Sequence, residues 1–220
     1  MARVLLFGAG ATGARIARQL RSSGAVDTLE IRDPNLERRE RLVDDLGDGV
    51  FAGHGRRISE DPAVVVVATP PGTQLGLARR AMHEGIAVVT TSNQTSEVRR
   101  LLELDDEARS RRVPVVVGAG FMPGLSCVLA RHGARELDEV DEIHVAKVGT
   151  GGPACARQHH RALSSTGIDW RDGRWMRRAG GSGRELAWFP DPVGGRDCYR
   201  AALPDALLLV PEFDGVQRVT

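Results

Sequence analysis

Short apolar runs recur through the first ~120 residues, each followed by an amphipathic stretch of helical length, and this alternation restricts the fold more than any other feature of the chain. The runs are Val4–Phe7, Leu29–Ile31, Val50–Ala52, Val64–Ala68, Ile86–Val89 and Val113–Val117. Residues 64–67 and 115–117 are valine at every position, the pattern of strands buried on both faces of a parallel sheet. Ile16, Ala17 and Leu20 mark one helical stripe. Leu36, Arg39, Val43 and Leu46 mark a second, with Asp33 as its expected N-cap and Pro34 at its first position. Leu75, Ala78 and Met82 form a third, ended by Gly85; Val98, Leu101, Leu102, Asp105 and Ala108 form a fourth. Strands and helices in this order predict an α/β fold with a doubly wound parallel sheet of Rossmann type and right-handed crossovers.

Beyond residue 123 the beat changes, and a smaller α+β domain is expected over 124–220 after a first domain over 1–123. A helix is predicted after Pro123, a strand over 142–148 and a helix from Pro153 to Ser164. Trp170–Trp175 reads as a hairpin around Asp172-Gly173, a pair suited to a type I′ turn. Leu186–Phe189, Cys198–Ala201 and Val216–Thr220 are further strand candidates. Nothing in the sequence caps the last of these, so the second domain is expected to be incomplete or unusually short.

Thirty basic residues stand against 29 acidic ones, a net charge of +1, which argues against nucleic acid or membrane as partner. No apolar run is long enough for a membrane span. Three cysteines, Cys127, Cys155 and Cys198, are too few and too scattered for a disulfide framework. A cytoplasmic protein is expected.

Gly8-Ala9-Gly10-Ala11-Thr12-Gly13 is a G-x-G-x-x-G directly after the first strand and at the mouth of the first helix. In that setting Gly8 permits a tight turn, Gly10 lets the backbone approach a pyrophosphate, and Gly13 lets helix and strand pack closely. Phosphate would sit on the free N–H groups at the helix end, beside Ala11 and Thr12. Asp33 follows at the end of the second strand, about 20 residues on, where a carboxylate accepts from the adenosine ribose. Asp33 favours NAD, whereas its neighbour Arg32 could bind the 2′-phosphate of NADP; the carboxylate could equally serve only as a helix cap. Ala68, Thr69 and Pro70, after the fourth strand, would pass the ribose and nicotinamide.

Together with Gly118–Ser126, a glycine-rich turn containing Pro123-Gly124, these motifs resemble the saccharopine dehydrogenase-like proteins over nearly the whole chain. The resemblance implies NAD or NADP as cofactor and hydride transfer involving an amino acid, an imino acid or a related carbonyl compound. A cofactor-binding sensor or scaffold without turnover is the competing expectation. A homodimer is expected by analogy of fold.

A dehydrogenase needs a proton donor or acceptor near the reacting carbon. Lys147, the chain's one lysine, is the first candidate, near the end of the predicted strand that carries Ile143 and Val145. His159 and His160 are the others; adjacent on a helix, they point about 100° apart, so one of them can face a cleft. Cys155 and His159 share a helical face but have no third ligand at a metal spacing, and no metal is expected. Phe121, Met122 and Pro123 are expected to shape a substrate pocket, and Arg196 to clamp a carboxylate. All these side chains could also be ordinary core or surface residues. No nucleophile elbow or Ser/His/Asp pattern points to hydrolysis.

Overall fold

A computed structural model describes residues 2–55, 57–58, 62–149 and 151–220. The chain forms two compact units, one of Met1–Ser92 with Ser96–Ala119 and one of Asn93–Thr95 with Gly120–Thr220.

The first unit carries a parallel sheet of β1 (Arg3–Phe7), β2 (Thr28–Arg32), β3 (Val50–Ala52), β4 (Val64–Val67), β5 (Ala87–Thr90) and β6 (Val115–Val116). Their spatial order is β3-β2-β1-β4-β5-β6, every pair parallel. Between them run α1 (Ala11–Ser22), α2 (Leu36–Leu46), α3 (Gln74–His83), α4 (Thr95–Leu102) and α5 (Asp105–Arg111). Alternation along the central strands explains the two cores. Leu5, Phe7, Val65 and Val67 face a cluster with Leu75, Met82, Leu101 and Ala108. Val4, Leu6, Ile31 and Val66 face the opposite cluster with Ala17 and Leu42. A strand buried on both faces must be apolar at every position, which is how Val64–Val67 reads.

Three local expectations are corrected here. The N-cap of α2 is Asn35, whose side chain accepts from Arg38 N–H, so Asp33 and Pro34 precede the helix. The fourth stripe is two helices, because the chain turns at Glu103-Leu104 before Asp105 starts α5 with three acids in its first turn. The six predicted runs otherwise all carry strands.

The second unit has a four-stranded sheet in the order β7 (Glu142–Ile143), β12 (Arg218–Val219), β8 (Thr166–Arg171) and β9 (Arg174–Ala179). β10 (Glu185–Phe189) and β11 (Gly194–Cys198) form a separate antiparallel pair. α6 (Leu125–Ala134), α7 (Pro153–Ser164) and α8 (Asp205–Leu209) complete the unit. Its core gathers Ile143, Ala206, Leu209, Phe213, Val216 and Val219. Asp172 and Gly173 both have positive φ, 50° and 74°, as the predicted hairpin turn requires. The predicted strand over 142–148 is only β7, and Cys198–Ala201 is displaced to β11. β12 lies inside the sheet, parallel to β7 and antiparallel to β8. Ion pairs join Arg200 to Asp169 and Arg218 to Glu185 and Glu142, tying the β10–β11 pair to the four-stranded sheet.

Close packing at the start of α1 yields a first expected outcome. A β-carbon on Gly13 would lie 1.8 Å from the carbonyl oxygen of Gly8. Gly13→Ala should therefore push α1 off the sheet and cost about 1–3 kcal/mol, the usual range for overpacking. Thermal unfolding measures it, and an unchanged melting temperature would refute the close packing.

Candidate functional site

Strand order reverses between β1 and β4, so the loops after these two strands open a crevice at the carboxyl edge of the sheet, the place where open α/β sheets take ligands. After β1 the chain turns at Gly8, with φ 106°, and its N–H donates to Arg32 O at 2.8 Å. A β-carbon there would lie 2.5 Å from Ala68 O, so the turn admits only glycine. Gly10 caps α1 and differs from both neighbours: a β-carbon on it would meet nothing within 4 Å. Its requirement comes from whatever occupies that open space. α1 has no side-chain cap and no acid in its first turn. The first N–H groups of a helix lack intrahelical acceptors and carry its positive dipole end. An exposed first turn at Ala11 and Thr12, free of competing carboxylates, fits a pyrophosphate.

Asp33 stands beside this loop with its carboxylate almost wholly buried. It accepts from Ala9 N–H at 2.7 Å, from Asn35 N–H at 2.8 Å and from the Arg38 guanidinium at 2.7 Å. Burial pushes its pKa up, but the bonds from Ala9, Arg38 and Asn35 outweigh that and hold the carboxyl below its ordinary value. Asp33 is thus a fixed negative charge beside the glycine turn. Arg32 is a correction. Strand alternation turns its side chain to the other face, where it is 4% exposed, bonds Glu30 at 2.6 Å and the Arg57 carbonyl, and lies over the Phe7 ring. The half-exposed guanidinium beside Asp33 belongs to Arg38, which the sequence reading did not identify.

Ala68, Thr69 and Pro70 follow β4, and Ala68 N–H donates to Phe7 O at 2.8 Å. Their loop is held from below by two buried residues that the sequence reading did not identify. Glu97 accepts from the N–H groups of Gly72 at 2.7 Å, Gln74 at 2.8 Å and Leu75 at 3.1 Å, and from the Ser92 hydroxyl at 2.6 Å. Gln74 donates to Thr69 O at 2.7 Å and accepts from Thr91 N–H at 2.9 Å. Glu97 thereby supplies the acceptor that the first turn of α3 lacks from its own capping side chain. In sequence it reads as an acid in the first turn of α4, with no sign of this reach.

In the second unit, Phe121, Met122, Leu125, Ser126, Leu129 and Val145 line a cleft of about 380 Å³. Phe121 is exposed; Met122 and Pro123 are buried. Ser126 donates to the buried carboxyl of Asp205. Lys147 is half-buried but lies beyond the end of β7, so its predicted place on a strand is corrected. Its positive charge disfavours the protonated forms of both His159 and Asp205. Burial, then Lys147 and then His160 push His159 below the ordinary histidine value, favouring its neutral form. His160, at 6.2 Å between ring centroids, is the more exposed of the pair. Arg196 is exposed on β11, its guanidinium on the Gly195 carbonyl. Among the described residues no group of three His, Cys, Asp or Glu side chains is arranged to hold a metal. Among them also, no helix is long and apolar enough to cross a membrane.

Glu97→Gln replaces one of two accepting oxygens with a donor facing Gly72 N–H and the Ser92 hydroxyl. A buried donor left without its acceptor costs about 1–3 kcal/mol, so thermal unfolding should come at a clearly lower temperature; an unaltered midpoint would show that the loop does not depend on this carboxylate.

Two kinds of likeness agree with this geometry. Among solved structures, apo saccharopine dehydrogenase (L-Glu forming) from Saccharomyces cerevisiae is similar over 99% of this chain and 54% of its own, with a TM-score of 0.69 and 16% identity. A myo-inositol dehydrogenase from Corynebacterium glutamicum is similar over 66% of this chain and 44% of its own, with a TM-score of 0.50 and 24% identity. GenD2 from gentamicin A biosynthesis, solved in complex with NAD, is similar over 65% of this chain and 42% of its own, with a TM-score of 0.50 and 23% identity. This chain thus spans about half the length of these proteins. At these identities the likeness is one of fold, and the resemblance to saccharopine dehydrogenase-like proteins holds at that level. The model of the Gfo/Idh/MocA oxidoreductase family, NAD-binding Rossmann fold, matches residues 2–119. With the glycine turn, the strand order and the ribose-side carboxylate all in that segment, the chain belongs to the Gfo/Idh/MocA family of oxidoreductases.

Proposed function

We propose that this chain is an NAD-dependent dehydrogenase acting on a small amino acid, imino acid or related carbonyl compound, with NAD preferred to NADP. The observation that carries the cofactor reading is the open space at Gly10, bounded by the bare first turn of α1 and the buried carboxylate of Asp33. The nicotinamide ring supplies hydride chemistry when bound. What the chain's residues contribute is placement. The α1 N–H groups would hold the pyrophosphate, and Asp33 would accept from the ribose hydroxyls once Arg38 moves aside. The loop Thr69-Pro70, held by Gln74, would give the ring side a fixed wall. The preference for NAD rests on charge: Asp33 is held ionised and would repel a 2′-phosphate. Fold likeness to saccharopine dehydrogenase supports the amino-acid class of substrate. Lys147, His159 and His160, all in the second unit, are the candidates for proton handling. Cofactor binding without turnover is the competing reading.

Nicotinamide fluorescence should show NADH binding at least about tenfold more tightly than NADPH, a difference of roughly 1.4 kcal/mol. Tighter NADPH would overturn the role given to Asp33. Gly10→Val should leave the melting temperature intact and abolish binding of both cofactors, since its side chain enters only the open space; undiminished affinity would remove the phosphate site. Arg38→Ala should weaken NADPH more than NADH, and equal losses would show that Arg38 does not meet the 2′-position. An absorbance screen with amino acids, 2-oxo acids plus ammonia, and 2-hydroxy acids then separates a dehydrogenase from a sensor that binds NADH without turnover.

A further inference from the structure

Two consecutive arginines in the first turn of α2 hold two different groups at the carboxyl edge of the sheet. Arg38 holds Asp33. Arg39 holds the loop after β3. Its side chain is buried, and its Nη1 donates to Gly53 O at 2.9 Å and to His54 Nδ1 at 3.2 Å. Its Nε and Nη2 both donate to Glu40. The loop is fixed from the strand side as well. Gly53 N–H donates to Ile31 O at 2.9 Å, and a β-carbon on Gly53 would lie 1.9 Å from Oε1 of the buried Glu30. His54 itself is exposed. A long side chain buried in the fold is thus spent on orienting an exposed ring.

The partner fixes the chemistry of that ring. A guanidinium has only donors, so Nδ1 is the accepting nitrogen and the ring proton sits on Nε2. Position adds the rest. β2 and β3 run parallel with Ile31 beside Ala52, and the same register carried two positions on sets His54 beside Asp33. Neighbouring strands lie about 4.8 Å apart. Along the carboxyl edge the order is therefore the glycine turn after β1, Asp33 after β2 and His54 after β3. The adenosine half of a dinucleotide has the same order: pyrophosphate, ribose, adenine.

We infer that His54 is the residue of the dinucleotide site that recognises adenine, donating from Nε2–H to an acceptor nitrogen of the base, with Arg39 as its positioning residue. The inference rests on the cofactor reading above and adds the base to it. With the pyrophosphate on α1 and the ribose on Asp33, the base would extend from the ribose away from the pyrophosphate, toward the end of β3. Adenine offers ring nitrogens as acceptors and an amino group as donor, and a donor held in one orientation selects the former. A ring already held by Arg39 loses little freedom on binding, so more of the hydrogen bond is kept as affinity.

Nuclear magnetic resonance of the whole protein with ADP-ribose tests this without nicotinamide or turnover. At mildly alkaline pH the imidazole nitrogens of His54 should show Nδ1 bare and Nε2 protonated, and Arg39→Met should let the other tautomer appear. With ADP-ribose bound, nuclear Overhauser contacts should join the His54 ring protons to the adenine ring protons. Resonance changes at Gly10, Ala11 and Thr12 without such contacts would overturn the role of His54 and leave the phosphate site standing, whereas no binding at all would overturn both. In fluorescence titration His54→Ala should weaken NADH about 2- to 10-fold, the worth of one net hydrogen bond. His54→Phe keeps a ring without the N–H and should lose as much. Unchanged affinity in His54→Ala, or full affinity in His54→Phe, would overturn the donor role. Arg39→Met should weaken NADH to a similar degree, and adding His54→Ala to it should cost little more. Additive losses, or a lowered melting temperature in Arg39→Met with NADH affinity intact, would show that Arg39 merely ties α2 to the loop, and would overturn its positioning of His54.

Discussion

The carbonyl of Gly8 and the α-carbon of Gly13 approach so closely that no side-chain atom fits between them. That approach seats α1 against the end of β1 and leaves its first N–H groups at the point where the strand order reverses. The three glycines of the motif answer to different constraints. Gly8 is required by a left-handed turn pressed on Ala68, and Gly13 by its contact with Gly8. Gly10 is required by neither conformation nor packing, since its φ is −71° and the space beside it is open. There the proposed pyrophosphate would supply the constraint that neither conformation nor packing does. The distinction separates residues whose substitution unfolds the unit from one whose substitution empties it.

Three buried carboxyl groups show how satisfaction divides scaffold from chemistry. Glu97 receives four donors, three of them backbone N–H groups, and locks the loop after β4 to the start of α4. Asp33 receives Ala9, Asn35 and Arg38, of which only the arginine can leave without breaking the backbone. Asp205 receives one hydroxyl on one oxygen. Burial penalises the charged forms of Asp33 and Asp205, and their donors decide how much of that penalty is removed. Full satisfaction makes a rigid strut of Glu97; the bonds to Asp33 hold its carboxyl below the ordinary value, whereas burial pushes Asp205 above it.

Local signals in the sequence carried the first unit well. Valine runs, the glycine motif and the distance to Asp33 each depend on neighbours a few residues away or on strand period. They were legible because a parallel sheet buried on both faces leaves few choices. The second unit kept its local signals too: Pro153 opens α7, and Asp172-Gly173 turns the β8–β9 hairpin. What escaped was partner choice over long separations. Nothing near Arg218 or Val219 says that they pair with both β7 and β8. Nothing near Glu97 says that it caps α3, and nothing near Asp205 says that it meets Ser126. Arg32 was misread for a simpler reason: it is adjacent to Asp33, and adjacent strand residues face opposite ways.

That last reversal bears on cofactor choice. With Arg32 spent on Glu30 beneath the sheet, the ribose corner holds one fixed negative charge and one movable positive one. Asp33 cannot turn away, because two backbone N–H groups hold it. Arg38 can, because its side chain is half-exposed and its own helix is capped by Asn35 without it. A ribose with free hydroxyls replaces Arg38 on the carboxylate donor for donor. A 2′-phosphate must instead sit against an ionised Asp33 and draw Arg38 off it, losing one attraction to make another. On the proposed binding mode the corner would favour the unphosphorylated ribose through the rigidity of its acid, with the arginine setting the size of the difference.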